Sequence, residues 1–282
     1  MKIVFFGTPD YVISILEALY KTYNNGPEKQ LIAVVTQAPQ KVGREQKLTR
    51  SEVDHWAYKH KIPVIFDFDK IPAADLGIVA AYGKIIPKFV ILNFKFGILN
   101  VHPSLLPKYR GASPVQAAIA NGDTTTGVTV IKMDELVDHG PIISSFKNEI
   151  LPTDTNETLR IRLFETSAKF LIDLIPNYLN GKIKLKPQDD QKATFTKTLK
   201  KEDGFVADPS EDPVRSERLF RAMQPWPGIW SEIAISSKKL RLKILKCHLE
   251  ENKLVFDEVQ LEGKNPVSWK QFESAYPDYS FN

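Results

Sequence analysis

The amino-acid sequence predicts an α/β protein with two parts: a mostly parallel sheet covered by helices, and then a small β-barrel or sandwich. Up to residue 181, apolar runs of strand length alternate with helical patterns, as in parallel sheets buried on both faces. From about residue 204 the segments are short, alternating and separated by turns, which is typical of small β domains. We therefore expect one domain over 1–184, a basic linker over 185–204 and a second domain over 205–282.

The first half of the chain carries the α/β pattern most clearly. KIVFFG predicts a buried strand, and Thr8 or Asp10 can cap the amphipathic helix ISILEALYKTY that follows. Further strands are predicted for LIAVVTQ, PVIF, LGIVAAYG and GILNVH, with a helix over VDHWAYKHK. These strands are apolar throughout rather than alternating, so we expect both of their faces to be covered.

The next segments continue the alternation and then change in character. SPVQAAIANG predicts a helix with Ser113 as N-cap, Pro114 at its first position and Gly122 as its end. GVTVIKM and GPIISSFKNEI predict strands, and residues 155–181 predict a long helix. The late segments WSEIAI, KLRLKILKCHL and KLVFDEV predict the strands of the second domain.

Composition narrows the class of protein. The 282 residues are 43% apolar and 26% charged, as in a soluble globular protein. A single cysteine, Cys247, excludes an internal disulfide framework and fits a reducing compartment. The N-terminal apolar run ends at Asp10 and is too short for a signal peptide or membrane span. We expect a cytoplasmic protein that does not enter membranes.

Three polar residues form the candidate catalytic group. Asn100 and His102 are two apart in a predicted strand, so their side chains share one face, and Asp138 follows the next strand. An amide donor, an imidazole and a carboxylate suit acyl transfer, with Asn100 and protonated His102 holding an oxyanion and Asp138 holding the imidazolium. A lone Asn-x-His is more often structural. No serine or cysteine elbow accompanies them, which favours direct transfer to an amine.

The sequence does not indicate a site for a dinucleotide cofactor or a nucleoside triphosphate. Gly7 stands alone after the first strand, so the G-x-G-x-x-G pattern of dinucleotide binding is missing, and no Walker A loop is present.

A series of motifs resembles the folate-dependent formyltransferase family. They are N-x-H-x-S-L-L-P-x-x-R-G-x-x-P, A-I-x-x-G-x-x-x-T-G-x-T and M-D-x-x-x-D-x-G-P-I, followed by ATFTKTLKKEDG and FRAMQPWPGIW. Over almost its whole length the chain is most similar to the branch that acts on methionyl-tRNA. This resemblance implies a Rossmann-like catalytic domain, an OB-like C-terminal barrel that binds tRNA, and initiator methionyl-tRNA as partner.

The resemblance also implies site residues and a co-substrate. It makes Asn100, His102 and Asp138 the catalytic trio and 10-formyltetrahydrofolate the formyl donor, with no metal and a monomeric enzyme. The residues matched to the folate site are Tyr82, Gly83, Ser104, Leu105, Leu106, Pro107, Leu136 and Val137. Arg110 and Gly111 are expected to shape the loop, and Trp226, Pro227 and Trp230 to pack in the C-terminal core.

Basic segments are the candidate tRNA contacts. KVGREQKLTR, residues 41–50, resembles the loop that enters the acceptor stem, and residues 181–201 hold seven lysines against two aspartates. The expected contacts are Arg44, Lys47, Lys197, Lys200 and Lys201. The alternative is that both segments are ordinary solvated surface.

The chain departs from the family pattern in three places. Leu136 replaces a glycine in the loop expected beside the folate, Glu45 replaces the glycine after the loop arginine, and the C-terminal domain is short. Two alternatives therefore stay open: a formyltransferase for a small amine such as an amino sugar, and a binding module without turnover.

Overall fold

The computed structural model of the protein describes residues 1–42, 45–235 and 238–281. Its strands are β1 (Ile3–Gly7), β2 (Leu31–Val35), β3 (Gln40–Val42), β4 (Lys47–Thr49), β5 (Val64–Ile65), β6 (Leu76–Ala80), β7 (Ile98–His102), β8 (Arg110–Gly111), β9 (Thr125–Lys132), β10 (Ile142–Glu149), β11 (Phe195–Thr196), β12 (Ile229–Ile235), β13 (Lys238–Glu250), β14 (Lys253–Leu261), β15 (Val267–Ser268) and β16 (Ser280–Phe281). Its α-helices are α1 (Ile13–Tyr23), α2 (Glu52–Lys59), α3 (Lys88–Leu92), α4 (Pro114–Ala120), α5 (Asn156–Leu179), α6 (Pro213–Ala222) and α7 (Trp269–Ala275).

The first compact unit contains residues 1–112, 125–149 and 160–196. Its seven-stranded sheet has the order β10-β9-β7-β6-β1-β2-β5. The five strands from β7 to β5 are parallel, and β9 and β10 are antiparallel additions at one edge. Every residue of β1 and β6 is buried, as expected for central strands that are covered on both faces.

The second compact unit contains residues 113–124, 150–159 and 197–282. Its antiparallel sheet has the order β15-β14-β13-β12-β16, and α6 and α7 pack against it. The core of this unit is built around the fully buried Ile233, Leu242 and Phe272. Two sheets, one mostly parallel and one antiparallel, confirm the predicted fold class. The domain bounds drawn from the sequence stay a prediction.

Two local expectations are wrong. The helix α1 has Val12 as its N-cap, after a 3-10 turn over Asp10–Val12, and no side chain caps it. Thr8 instead donates its hydroxyl to the backbone carbonyl of Tyr82, at 2.9 Å. In the second unit Trp230 is buried but Trp226 is 56% exposed, so Trp226 is not the core residue that its motif predicts.

Within the residues that the structure describes, no helix combines the length and the apolar character needed to cross a membrane.

Candidate active site

The strand β7 carries the first two residues of the predicted catalytic group. Asn100 and His102 lie two positions apart and share one side of the strand. The ring of His102 is almost fully buried, and its Nε2 lies 2.9 Å from the backbone carbonyl of Tyr109. Because a carbonyl can only accept, we assign the proton to Nε2. The other ring nitrogen, Nδ1, then faces the carboxylate of Asp138 at 3.5 Å.

The carboxylate of Asp138 is the point where the group meets. Its Oδ1 accepts a hydrogen bond from Asn100 Nδ2 at 2.9 Å, and its Oδ2 accepts one from the backbone N–H of Gly111 at 2.8 Å. A carboxylate can only accept, so the orientation of the Asn100 amide is fixed. The structure thus brings Asn100, His102 and Asp138 together, with the Asp138 side chain 12% exposed and within reach of solvent or substrate.

The direction of the strand that precedes Asp138 differs from the one that the sequence pattern indicates. We expected it to follow a strand ending at the same edge as His102, but β9 runs antiparallel to β7 and pairs Lys132 with Leu99. The loop 133–141 therefore starts near the beginning of β7 and folds back along the strand. The backbone of Asp138 is in the left-handed region, with φ of 49°. A Cβ on Gly140 would lie 1.9 Å from the carbonyl oxygen of Lys132, so this turn requires glycine.

A buried arginine and a glutamine hold the loop 133–141, the returning loop. Arg110 donates from Nε and Nη2 to Gln188 Oε1, at 3.1 and 2.9 Å, and its Nη2 also binds Asp190 Oδ1 at 2.7 Å. Gln188 Nε2 donates to the backbone carbonyls of Asp138 and Gly140, both at 2.8 Å. The oxygen of the Gln188 amide therefore accepts from Arg110 and its nitrogen donates to the loop, so Gln188 connects the arginine to the carbonyls of Asp138 and Gly140.

His139 lies between two carboxylates beside this network. Its Nδ1 is 2.6 Å from Asp134 Oδ2, and its Nε2 is 3.3 Å from Asp190 Oδ2. The hydrogen bond that His139 donates to Asp134 is the main reason that the pKa of His139 is raised above its usual value, with a further contribution from Asp190. The hydrogen bond from Arg110 in turn lowers the pKa of Asp190. Asp190 thus contacts both His139 of the loop and Arg110 of β8.

Comparison with known protein families assigns the chain to one of them. Residues 1–175 match the formyl transferase family model. The chain belongs to the formyl transferase family. It is a formyl-transferring enzyme, and the polar group on β7 lies within the matched region.

Its relatives in this family carry a more specific name. Methionyl-tRNA formyltransferase from Chloroflexus aggregans is 37% identical over 241 residues, covering 82% of this chain and 76% of the relative. The enzyme of that name from Methylacidiphilum infernorum is 40% identical over 257 residues, covering 87% and 78%. The one from Thermotoga maritima is 39% identical over 238 residues, covering 81% and 74%.

Solved structures share the fold of this formyl transferase. Methionyl-tRNA formyltransferase from Clostridium thermocellum superposes with a TM-score of 0.63 at 19% identity, covering 93% of this chain and 98% of the other. A sugar 3N-formyl transferase, solved with dTDP and 5-N-formyl-THF, gives 0.65 at 19% identity and covers 94% and 99%. At such identities the likeness establishes the fold alone.

The residues predicted to bind folate fall into two groups. Tyr82, Ser104 and Leu106 are buried, and the ring of Tyr82 packs edge-on against Phe6. Gly83 has φ of 78° beside Tyr82. Leu105 and Pro107 are half-buried in the turn that follows β7, whereas Leu136 and Val137 are 62% and 57% exposed on the returning loop. The assignment of these residues to folate stays a prediction.

An apolar rim lies beside the returning loop. Ile85, which precedes α3, is 83% exposed, and Phe89 of α3 is 51% exposed. Leu136 and Val137 of the loop are exposed to similar degrees. Lys88 of α3 and Glu135 of the loop form an ion pair at 2.5 Å, which brings the two segments together. Sequence reasoning missed Ile85 and Phe89, because large apolar side chains in a folded domain are expected to be buried.

The residues predicted to contact tRNA are exposed where the structure describes them. Lys47 lies on the hairpin of β3 and β4, and Arg44 lies outside the described residues. Lys197, Lys200 and Lys201 are exposed in the second unit. Lys197 also pairs with Asp203, at 2.6 Å. Their contact with tRNA stays a prediction.

We predict that Gln188→Glu lowers the turnover number for formyl transfer by about tenfold to a hundredfold, because the part-buried carbonyls of Asp138 and Gly140 lose their hydrogen-bond donor. The glutamate keeps the pairing with Arg110 but places a carboxylate against the carbonyls of Asp138 and Gly140. Steady-state kinetics test this, with Gln191→Glu as the matched control, since Gln191 is exposed in the same segment. Equal turnover in the two variants would contradict the positioning role.

We predict that His139 stabilises the fold most on the acid side of neutrality. A folded-state pKa above the unfolded value means that the contribution is complete below about pH 6.5 and is lost as pH rises through the raised pKa. Urea unfolding of the wild type and His139→Asn from about pH 6 to 9 measures the difference. His55→Asn is the control. A difference that grows toward alkaline pH would refute the proposed pairing.

Proposed function

We propose that the chain transfers a formyl group from 10-formyltetrahydrofolate to the α-amino group of methionine on initiator methionyl-tRNA, for translation initiation. The observation that carries the proposal is the partly exposed Asp138 carboxylate held between Asn100 and His102. Relatives named methionyl-tRNA formyltransferase, 37–40% identical over most of the chain, support this acceptor.

Asn100 is the candidate donor to the formyl oxygen. Its amide nitrogen carries two hydrogens, and one is directed at Asp138 Oδ1. The second is available for the negative charge that develops on the formyl oxygen as the amine attacks. A preorganised donor of this kind is worth about 3–4 kcal/mol in other enzymes.

His102 takes a different role from the one that its residue type predicts. Nε2 donates to the carbonyl of Tyr109 and Nδ1 faces Asp138, so in this conformation neither nitrogen is directed at a substrate. We assign His102 to the support of the Asp138 carboxylate rather than to the formyl oxygen. With one proton on Nε2, Nδ1 can donate to the carboxylate only when the ring carries a second proton, so this support is an ion pair of the imidazolium form.

Asp138 is the candidate proton carrier. Each of its oxygens accepts one N–H from Asn100 or Gly111, and a carboxylate oxygen has a second lone pair for a proton or water. The amine nitrogen bonds to the formyl carbon, and the bond from that carbon to the folate nitrogen breaks. The proton lost by the amine passes through Asp138 to the folate nitrogen.

The apolar rim fits the flat, largely apolar ring system of a folate. Leu136 and Val137, which directly precede Asp138, expose apolar surface, and so do Ile85 and Phe89 near Lys88, which pairs with Glu135 of the same loop. Such surface is characteristic of small-molecule sites. When bound, the folate supplies the formyl carbon. The side chains of this rim would hold it, with Leu136 presenting a branched side chain where the family pattern has glycine.

An assay with two acceptors and a blank tests the proposed function. Purified enzyme and 10-formyltetrahydrofolate are incubated with charged initiator tRNA, with a nucleotide-linked amino sugar, or with no acceptor, and formylated product is measured. We expect product with tRNA alone. Product from the amino sugar alone would assign a small-amine enzyme, and no product in any arm would favour a binding module.

We predict that Asn100→Ala and Asp138→Ala each lower formyl transfer at least about a hundredfold, because each removes a group from the reacting centre. Both variants should keep the wild-type circular dichroism spectrum. Asn93→Ala is the control, since Asn93 is exposed at the end of α3. Near-normal turnover in either folded variant would remove that residue from the catalytic group.

We predict that replacing Lys197, Lys200 and Lys201 together with glutamine flattens the salt dependence of the Michaelis constant for tRNA. Each phosphate contact contributes about 0.7–0.9 to the log–log slope. Kinetics at several salt concentrations measure the slope, with Lys253, Lys264 and Lys270 replaced in a control of equal charge on the same unit. Equal slopes in the two triple variants would count against contact between tRNA and the first three lysines.

A further inference from the structure

Phe195 is a large aromatic side chain that the structure leaves 72% exposed. It lies on β11 between Thr194 and Thr196, whose side chains turn the other way. Thr194 Oγ1 accepts from the backbone N–H of Tyr109 at 2.8 Å, and Thr196 Oγ1 donates to the carbonyl of Arg110 at 3.0 Å. Alternation along a strand therefore directs the Phe195 ring outward.

The Phe195 ring is anchored by the pairing of its strand with β8 and by Arg110. The strand β11 pairs in parallel with β8, matching Phe195 with Arg110 and Thr196 with Gly111. The guanidinium carbon of Arg110 lies 5.9 Å from the centre of the Phe195 ring. Arg110 is itself bound to Gln188 and Asp190. An aromatic ring fixed in this way loses little entropy when a flat ligand stacks on it.

The position of the ring relates it to the candidate catalytic group. Thr196 pairs with Gly111, and the N–H of Gly111 binds the carboxylate of Asp138. Paired strands are separated by about 4.8 Å, so the backbone of β11 lies one strand spacing from the residue whose N–H binds that carboxylate. In an aminoacyl-tRNA the reacting amine belongs to an amino acid esterified to the terminal ribose, and the terminal base is therefore close to the amine.

The surroundings favour a nucleic acid over an apolar partner. The neighbours of Phe195 along the chain are polar, and residues 181–201 hold seven lysines against two aspartates. An exposed ring in a lysine-rich segment is the combination that binds single-stranded nucleic acid, because the ring stacks on a base and the cations bind phosphates. An apolar docking surface would instead require several adjacent apolar side chains.

We propose that Phe195 is the stacking platform for the terminal nucleobase of the aminoacyl-tRNA. This inference rests on the proposed function and adds a binding site to it. The ring places the end of the acceptor strand so that the attached amine lies near Asp138. It acts through stacking, which any aromatic side chain at this position can supply.

Steady-state kinetics of Phe195→Leu and Phe195→Tyr test the platform. We expect the Michaelis constant for methionyl-tRNA to rise about tenfold in the leucine variant, the scale of one lost base stack, and to stay near the wild-type value in the tyrosine variant. The Michaelis constant for 10-formyltetrahydrofolate should not change in either. Phe66→Leu is the matched control, since Phe66 is an exposed phenylalanine of the same unit.

A fluorescence measurement gives a second readout without turnover. In Phe195→Trp we expect uncharged tRNA to quench the emission of the new indole beyond the quenching seen in the wild type. Equal tRNA constants for wild type and Phe195→Leu, or no added quenching, would overturn the inference while leaving the proposed function intact. A wild-type enzyme that formylates no methionyl-tRNA would instead overturn the proposed function.

Discussion

The Asp138 carboxylate joins three separate parts of the chain, and the geometry of the candidate site depends on that junction. Its two oxygens receive the amide of Asn100 on β7 and the backbone N–H of Gly111 on β8, and the ring of His102 lies beside them. A carboxylate needs several donors when it leaves bulk water. Here the donors are Asn100, a member of the candidate catalytic group, and the backbone of Gly111. The hydrogen bonds that satisfy the charge of Asp138 therefore also align the candidate site.

The same requirement explains the unusual backbone around this residue. To turn back along β7, the loop places Asp138 in the left-handed region and Gly140 against the carbonyl of Lys132. Conformations of this kind carry a cost of order 1–3 kcal/mol and persist only where surrounding contacts fix them. Gln188 supplies two such contacts through the carbonyls of Asp138 and Gly140. His139 adds a third tie through Asp190.

Some of this could be predicted from sequence and some could not. The buried strands β1, β6 and β7 follow from unbroken apolar runs, and the shared face of Asn100 and His102 follows from their spacing. The antiparallel direction of β9 does not, because periodicity says nothing about strand direction. Gln188 carries no local signal at all: it is a polar residue in a lysine-rich segment. Its importance arises from contacts with residues 110, 138 and 140.

The dependence of Asp138 on Gln188 changes where the catalytic part of the chain can be said to end. The family match stops at residue 175 and α5 stops at Leu179, yet the compact unit continues to Thr196. A fragment truncated just after α5 would retain the whole region that matches the family model, including Asn100, His102 and Asp138. It would lose the amide that secures the returning loop and the strand that pairs with Gly111. By these contacts the segment after α5 is part of the candidate site, although it lies outside the region that the family model matches.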